Sequence, residues 1–318
     1  MSFASEAREE LARETCADLC CARSELAAAL LCSGGIAWRG KGLYSLTLTT
    51  ADGATARHYY ALLKQFFQIS CQIRTLRTEQ LMGATRYQLV FPDDCAHTLL
   101  SELRLLDEKA LFGVRQTPED ALLQYTCCKK AFVRGAFLLG GVAVNPEKSY
   151  HLEIDAPTEA FADKVMEMLN YFEIFAKKTC RKAKYVVYLK KAEEISDVLT
   201  LMGASRSTLE LESVRVEKEM RNRINRQINC DDSNIDRMMN TADRQILDIR
   251  YIEQELGLEK LPRTLREIAE LRVNNAATSL AGLGELADPP IGKSGVNLRL
   301  RRISEIARKL REGEEIEL

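Results

Sequence analysis

Near the end of the chain, Lys293, Ser294, Asn297, Leu298 and Arg301 recur at a spacing that gathers them on one side of a helix, with Arg299 and Arg302 on its flanks. These residue types suit the recognition of double-stranded DNA. An amide such as Asn297 pairs with an adenine edge, Lys293 reaches a phosphate or a guanine, the flanking arginines hold phosphates, and Leu298 meets a thymine methyl. The elements needed to aim them lie on either side. Leu280, Leu283 and Leu286 repeat every third residue, and Val296, Leu300, Ile303, Ala307 and Leu310 repeat at threes and fours, so two helices each present one apolar face. Pro289 and Pro290 stop the first helix, and Ile291 is placed to plug the gap between the two. Helix, tight turn and helix form a helix-turn-helix, whose second helix lies in the major groove. A plain αα-hairpin with a solvated basic face shares this pattern. Lys293, Arg299, Arg301, Arg302, Arg308, Lys309 and Arg311 against Glu305 favour DNA.

The chain of 318 residues is 46% hydrophobic and 29% charged, which suits a soluble protein of two or three domains. A net charge of -1 excludes a uniformly basic nucleic-acid binder, so DNA affinity has to come from local clusters. No apolar run is long enough for a membrane span, and no membrane partner is expected. Ten cysteines without a signal peptide point to a reducing cytoplasm, with the protein on the nucleoid. Cys16, Cys20 and Cys21, like the pair Cys127 and Cys128, lack C-x-x-C spacing, and His58, His97 and His151 stand singly, so neither metal nor cofactor is expected.

Upstream, the chain repeats itself. A helix Ser5 to Cys21 precedes an apolar helix Glu25 to Ile36 ending in Gly34-Gly35, then a strand Leu43 to Thr50, a helix, two strands and a helix to Leu106. The same order returns from the apolar helix Lys129 to Gly141 onward, again ending in Gly-Gly. Small residues in both leading helices (Ala27, Ala28, Ala29; Gly135, Ala136) allow close helix packing. The region resembles the LAGLIDADG homing-endonuclease fold, with the motif set on residues 27–35 and 133–141. In that family an acidic residue before each last glycine holds Mg²⁺ at the phosphodiester. On this setting both positions are glycine, Gly34 and Gly140, which implies a catalytically dead domain and no catalytic residues.

Between the halves, Arg221, Arg223 and Arg226 with Asn222, Asn225 and Asn229 form a cationic, amide-rich stretch, either a phosphate-binding strip or a solvated helix. Asp231-Asp232-Ser233-Asn234 interrupts it, and Ser233 is placed to cap a new helix. These features, with Gly135-Ala136-Phe137-Leu138, Asn145-Pro146-Glu147-Lys148-Ser149-Tyr150 and Pro289-Pro290-Ile291 before Lys293-Ser294-Gly295-Val296-Asn297, closely resemble the WhiA family. The resemblance implies an α+β chain: an N-terminal helix (1–22), two pseudo-symmetric LAGLIDADG-like repeats (23–118 and 127–206 within 23–206), a linker helix (207–232) and an all-α helix-turn-helix domain (233–318). It also implies promoter binding and roles in cell division, chromosome segregation and, in some members, sporulation, with protein partners for the LAGLIDADG-like domain. Gly292 and Leu298 depart from the expected serine and histidine, which shifts the implied target. An adaptor acting on division or transcription machinery and an active LAGLIDADG nuclease are the alternative readings.

Overall fold

The computed structural model describes residues 2–40, 42–78, 84–107, 109, 113–181 and 184–315. Contacts divide the chain into two units, Met1–Lys218 and Glu219–Leu318. In the first, a short helix α1 (Phe3–Leu11) precedes the first leading helix α2 (Leu19–Ser33). The expected N-terminal helix therefore ends at Leu11, and residues 19–22 already belong to α2. Asp18, in an extended conformation, starts the new helix. Nor is α1 a separate element, because Phe3, Ala4, Ala7 and Leu11 are buried in the same core as α2.

After α2 come β1 (Gly34–Gly40), β2 (Leu43–Thr50), α3 (Gly53–Phe66), β3 (Gln72–Thr78), β4 (Ala84–Val90) and α4 (Asp93–Glu102). The second repeat runs α5 (Thr126–Gly140), β5 (Gly141–Ala143), β6 (Leu152–Ala156), α6 (Glu159–Tyr171), β7 (Lys177–Arg181), β8 (Lys184–Leu189) and α7 (Ala192–Met202). The sheets are ordered β1-β2-β4-β3 and β5-β6-β8-β7, with every pairing antiparallel. The topology repeats, with one strand per repeat that periodicity missed. β1 and β5 begin at the first residue after their helices, where the glycine-rich sequence hides the alternation that marks a strand.

Both leading helices are apolar on nearly every side because they are buried on nearly every side. Residues 24 to 30 of α2 are all buried, as are Phe132, Val133, Gly135, Ala136, Phe137 and Leu138 of α5. The small residues bring the two backbones together. A Cβ built on Gly135 would stand 2.3 Å from the Glu25 carbonyl oxygen and 3.1 Å from the Ala28 Cβ.

The structure shifts the motif setting by one residue. Gly34 caps α2 and opens β1; the residue that caps α5 and opens β5 is Gly141. A Cβ on either would strike the carbonyl four residues back, Leu30 at 2.3 Å and Phe137 at 2.4 Å. Gly34 and Gly140 are thus not equivalent. The residue before the capping glycine is Ser33 in one repeat and Gly140 in the other, and the first motif spans residues 26–34.

A single helix, α8 (Ser205–Glu255), replaces the expected linker and the break after it. Ser, Asp and Asn in a helix interior cost only about 0.5 kcal/mol each, and no Gly or Pro lies between 204 and 256 to enforce an interruption. In the second unit α9 (Arg263–Asn274), α10 (Leu280–Glu285) and α11 (Lys293–Glu312) follow. Their core joins Ile249, Ile252, Leu265, Ile268, Leu283, Val296, Leu300, Ile303 and Ile306. No helix among the described residues is long and apolar enough to cross a membrane.

One buried cation sets the approach to α10. Arg272 is 2% exposed, and its Nη1 donates to the carbonyls of Ala276 at 3.3 Å and Thr278 at 2.8 Å. Burial holds its pKa below the ordinary arginine value. Arg272→Met is expected to destabilise the second unit by about 1–3 kcal/mol, since two loop carbonyls lose a charged donor. Urea denaturation checks the loss, and hydrogen exchange should quicken across residues 275–279.

Candidate nucleic-acid interface

α10 and α11 are held by a turn that only a glycine at 284 permits. A Cβ there would meet the Ile291 carbonyl oxygen at 2.1 Å, and the Ile291 amide donates to the Gly284 carbonyl at 2.9 Å. Ile291 packs against the core of this unit, filling the gap as its position in the sequence suggests. Ser279 caps α10 by accepting from the Gly282 amide at 3.2 Å. Gly292 stands at the N-cap of α11 and contributes no side-chain bond.

On α11 the buried ridge is Val296, Leu300, Ile303, Ile306 and Ala307. With about 100° per residue, Ser294, Leu298 and Arg301 fall at the centre of the opposite face, and all three are exposed, Leu298 to 71%. Asn297 and Arg302 lie to either side of that line, and Lys293 is exposed in the first turn. Arg299 departs from the expected flank. It is half-buried, about 130° from the centre of the exposed face and beside the apolar ridge.

The cations are not equally committed. Arg302 pairs with Glu305 at 3.0 Å, Arg308 pairs with Glu312, and Arg311 pairs with Asp248 at 2.8 Å while stacking over Tyr251. Lys293, Arg299 and Arg301 have no ion pair among the described residues. Three of the four α11 cations without an ion pair among the described residues thus sit in its first half, where a recognition helix meets bases, and the fourth, Lys309, lies in its last turn.

Arg221, Arg223 and Arg226 are all exposed on α8, and the Arg226 Nε donates to the Asn222 carbonyl at 3.2 Å. They do not form one strip. Arg221 and Arg223 point about 160° apart by helix geometry, whereas Asn222, Asn225, Asn229 and Arg226 share a side.

In the first unit, sheet register fixes the phase of each strand. Leu46, Leu48 and Leu89 face the core, which puts Ser45, Thr47, Gln72, Arg74, Arg86 and Gln88 on the open face. Arg39 joins them through its bond to Ser45. On the second sheet Lys177, Arg181 and Lys184 share the open face with Glu153 and Asp155. Lys178 lies on the helix side and pairs with Glu159 at 2.8 Å and Asp163 at 2.5 Å.

The residues before the two capping glycines, Ser33 and Gly140, offer no carboxylate. Ser33 donates to the Thr49 carbonyl at 3.0 Å, and Gly140 packs against the Asp155 backbone. Asp52 is used to cap α3 through the Ala54 amide at 2.9 Å. Glu153 is held by His151 at 2.6 Å and Arg181 at 2.9 Å; burial raises its pKa, but those partners outweigh it and keep the carboxyl below the ordinary value.

Comparison with known proteins agrees along the whole chain. The WhiA N-terminal LAGLIDADG-like domain matches residues 19–106, the WhiA LAGLIDADG-like domain residues 129–221, and the WhiA C-terminal HTH domain residues 224–307. A protein of Halalkalibacterium halodurans named "Probable cell division protein WhiA" is 40% identical over 316 residues, covering 98% of this chain and 97% of its own. A relative of the same name from Thermoanaerobacter pseudethanolicus is 40% identical over 314 residues, covering 98% and 99%. The crystal structure of full-length DUF199/WhiA from Thermatoga maritima shares the fold with a TM-score of 0.59 at 23% identity, covering 97% of this chain and 99% of that one. Two LAGLIDADG-like repeats followed by a helix-turn-helix, matched end to end by these relatives, place the chain in the WhiA family.

Proposed function

We propose that this protein binds promoter DNA through α11 and regulates transcription in cell division and chromosome segregation, and in sporulation where the host sporulates. The observation that carries this reading is the exposed face of α11, where Ser294, Leu298 and Arg301 stand opposite the buried ridge with Asn297 beside them, and Lys293 and Arg301 have no ion pair among the described residues. Leu298 supplies an apolar contact suited to a thymine methyl, and Asn297 an amide suited to adenine. Arg302 contacts phosphate after exchanging its Glu305 partner, an exposed pair that costs little to open. Nucleoid localisation follows from this binding. The LAGLIDADG-like unit acts without nuclease chemistry, as a second DNA contact or a docking surface, since Ser33 and Gly140 offer no carboxylate pair to hold a divalent metal.

Fluorescence anisotropy on genomic promoter fragments across a salt series tests the proposal. Affinity should fall as salt rises, and Arg301→Ala/Arg302→Ala should lose about 1–3 kcal/mol of binding. Unchanged binding by the variant would remove α11 as the reader. The adaptor reading gains from the second sheet, whose open face carries Glu153 and Asp155 where a duplex would set phosphates. It predicts a protein partner retained by the same variant.

A further inference from the structure

Neither metal nor thiol chemistry has a part in the proposed DNA contact, yet four cysteines converge at one end of the helix pair. The Sγ atoms of Cys20, Cys21, Cys127 and Cys128 all lie within 4.8 Å of one another, and those of Cys20 and Cys21 are 4.0 Å apart. The pairs occupy the same place in each repeat. Cys20 and Cys21 are the second and third residues of α2, and Cys127 and Cys128 are the second and third residues of α5. The pseudo-symmetry that aligns Gly34 with Gly141 therefore also aligns the two Cys-Cys pairs. Neither pair alone has the C-x-x-C spacing of a metal grip. Close packing of the two helices supplies the convergence instead.

We infer that these four thiols form a tetrathiolate site for one soft divalent metal ion of the zinc class, clamping the starts of the two leading helices. A tetrahedral centre with metal–sulfur bonds near 2.3 Å sets its sulfurs about 3.8 Å apart, so the observed cluster needs to contract by at most about 1 Å. All four candidate ligands are sulfur, which selects zinc-like ions over magnesium or calcium. Two helices of fifteen residues direct their N-termini here, and neither Asp18 nor Tyr125 at the N-cap makes a side-chain bond to a first-turn amide. Cys21 and Cys128 are buried, Cys20 is half-buried and Cys127 is exposed, leaving one open side for metal exchange. Around the site, the Ser24 hydroxyl donates to the Cys20 carbonyl at 3.0 Å, and Lys129 donates to the Leu123 carbonyl at 2.7 Å, fixing the segment that leads into α5. Binding is an exchange of four S–H protons for four metal–sulfur bonds, with no electron transferred.

The test uses the full chain purified under reducing conditions and exposed to zinc chloride, then dialysed and analysed by elemental mass spectrometry. One zinc per chain is expected. Cys127→Ser/Cys128→Ser should lose it, while Cys71→Ser/Cys95→Ser keeps it. Because the first variant also removes a buried thiol, a second measurement uses Cys20→Ser and the exposed Cys127→Ser, each expected to weaken zinc at least tenfold in competition with a chromogenic chelator. Cobalt(II) loading of the parent should give the intense visible bands of a tetrahedral thiolate centre. Three results would each overturn the assignment: zinc content no higher than in the double variant, cobalt bands of an octahedral ion, or recovery of the four cysteines as disulfides in the zinc-exposed reduced protein.

Discussion

Glu25→Gln is expected to cost the first unit about 3–5 kcal/mol, enough to unfold it or to lower its melting temperature severely. Glu25 is fully buried in α2, and three side chains meet its carboxylate. His58 Nε2 lies 2.5 Å from Oε1, Arg134 Nη2 lies 2.6 Å from Oε2, and the Cys16 thiol donates to Oε2 at 3.3 Å. Neutralising the carboxylate leaves the Arg134 guanidinium without its counter-charge in a low-dielectric site, where only one neutral amide oxygen and the Cys16 sulfur remain to accept from it. Burial alone raises the Glu25 carboxyl, but the His58 hydrogen bond and charge, followed by the Arg134 charge, outweigh it and hold the group below its ordinary value. A depressed carboxylate stabilises the folded state fully above about pH 4.3, the unfolded value, and that contribution is lost as the pH falls through the lower folded value. Melting curves from pH 7 to pH 3 should therefore show a steep acid loss in the parent and a shallower one in the variant. Glu25→Leu/Arg134→Met, which removes both charges together, should recover about 2 kcal/mol or more of the single-variant loss. A Glu25→Gln protein that melts with the parent at neutral pH would refute the account.

Gly135→Ala should destabilise the same unit by about 1–3 kcal/mol, against the ordinary rule for helices. On an open helix face the change gains about 1 kcal/mol of propensity. Here the new Cβ would sit 2.3 Å from the Glu25 carbonyl oxygen, a backbone atom that cannot rotate away. The α2–α5 pair would have to separate, loosening Phe132, Phe137 and Leu26, each fully buried. Gly295→Ala in α11 serves as the contrast. Its Cβ would meet only Ile291 side-chain carbons at 3.7 Å, an ordinary contact, so that change should be neutral or stabilising. Urea midpoints of the two variants should move in opposite directions. A gain in stability for Gly135→Ala would show that the helix pair has slack the structure does not display.

Most elements, the repeat and the helix-turn-helix were legible in the residues because each depends on local period. Leu300, Ile303 and Ala307 declare a helix face without reference to any distant partner, and Ser279 and Pro289 mark its neighbour's ends by backbone chemistry alone. Glycine pairs betrayed the repeat for the same reason. Tertiary structure decided whatever depends on residues far apart in the chain. The equivalence of Gly34 with Gly141 came from strand register, and the continuity of α8 showed that cap-forming side chains alone do not stop a helix. Arg299 proved half-buried beside the apolar ridge, a degree of burial set by the helices packed around it. The Glu25 cluster and the four cysteines were least visible of all, since His58, Arg134, Cys127 and Cys128 lie on or beside other helices and meet α2 only when the helices pack. A charge or thiol acquires its chemistry from its neighbours, and in this protein close helix packing supplies them.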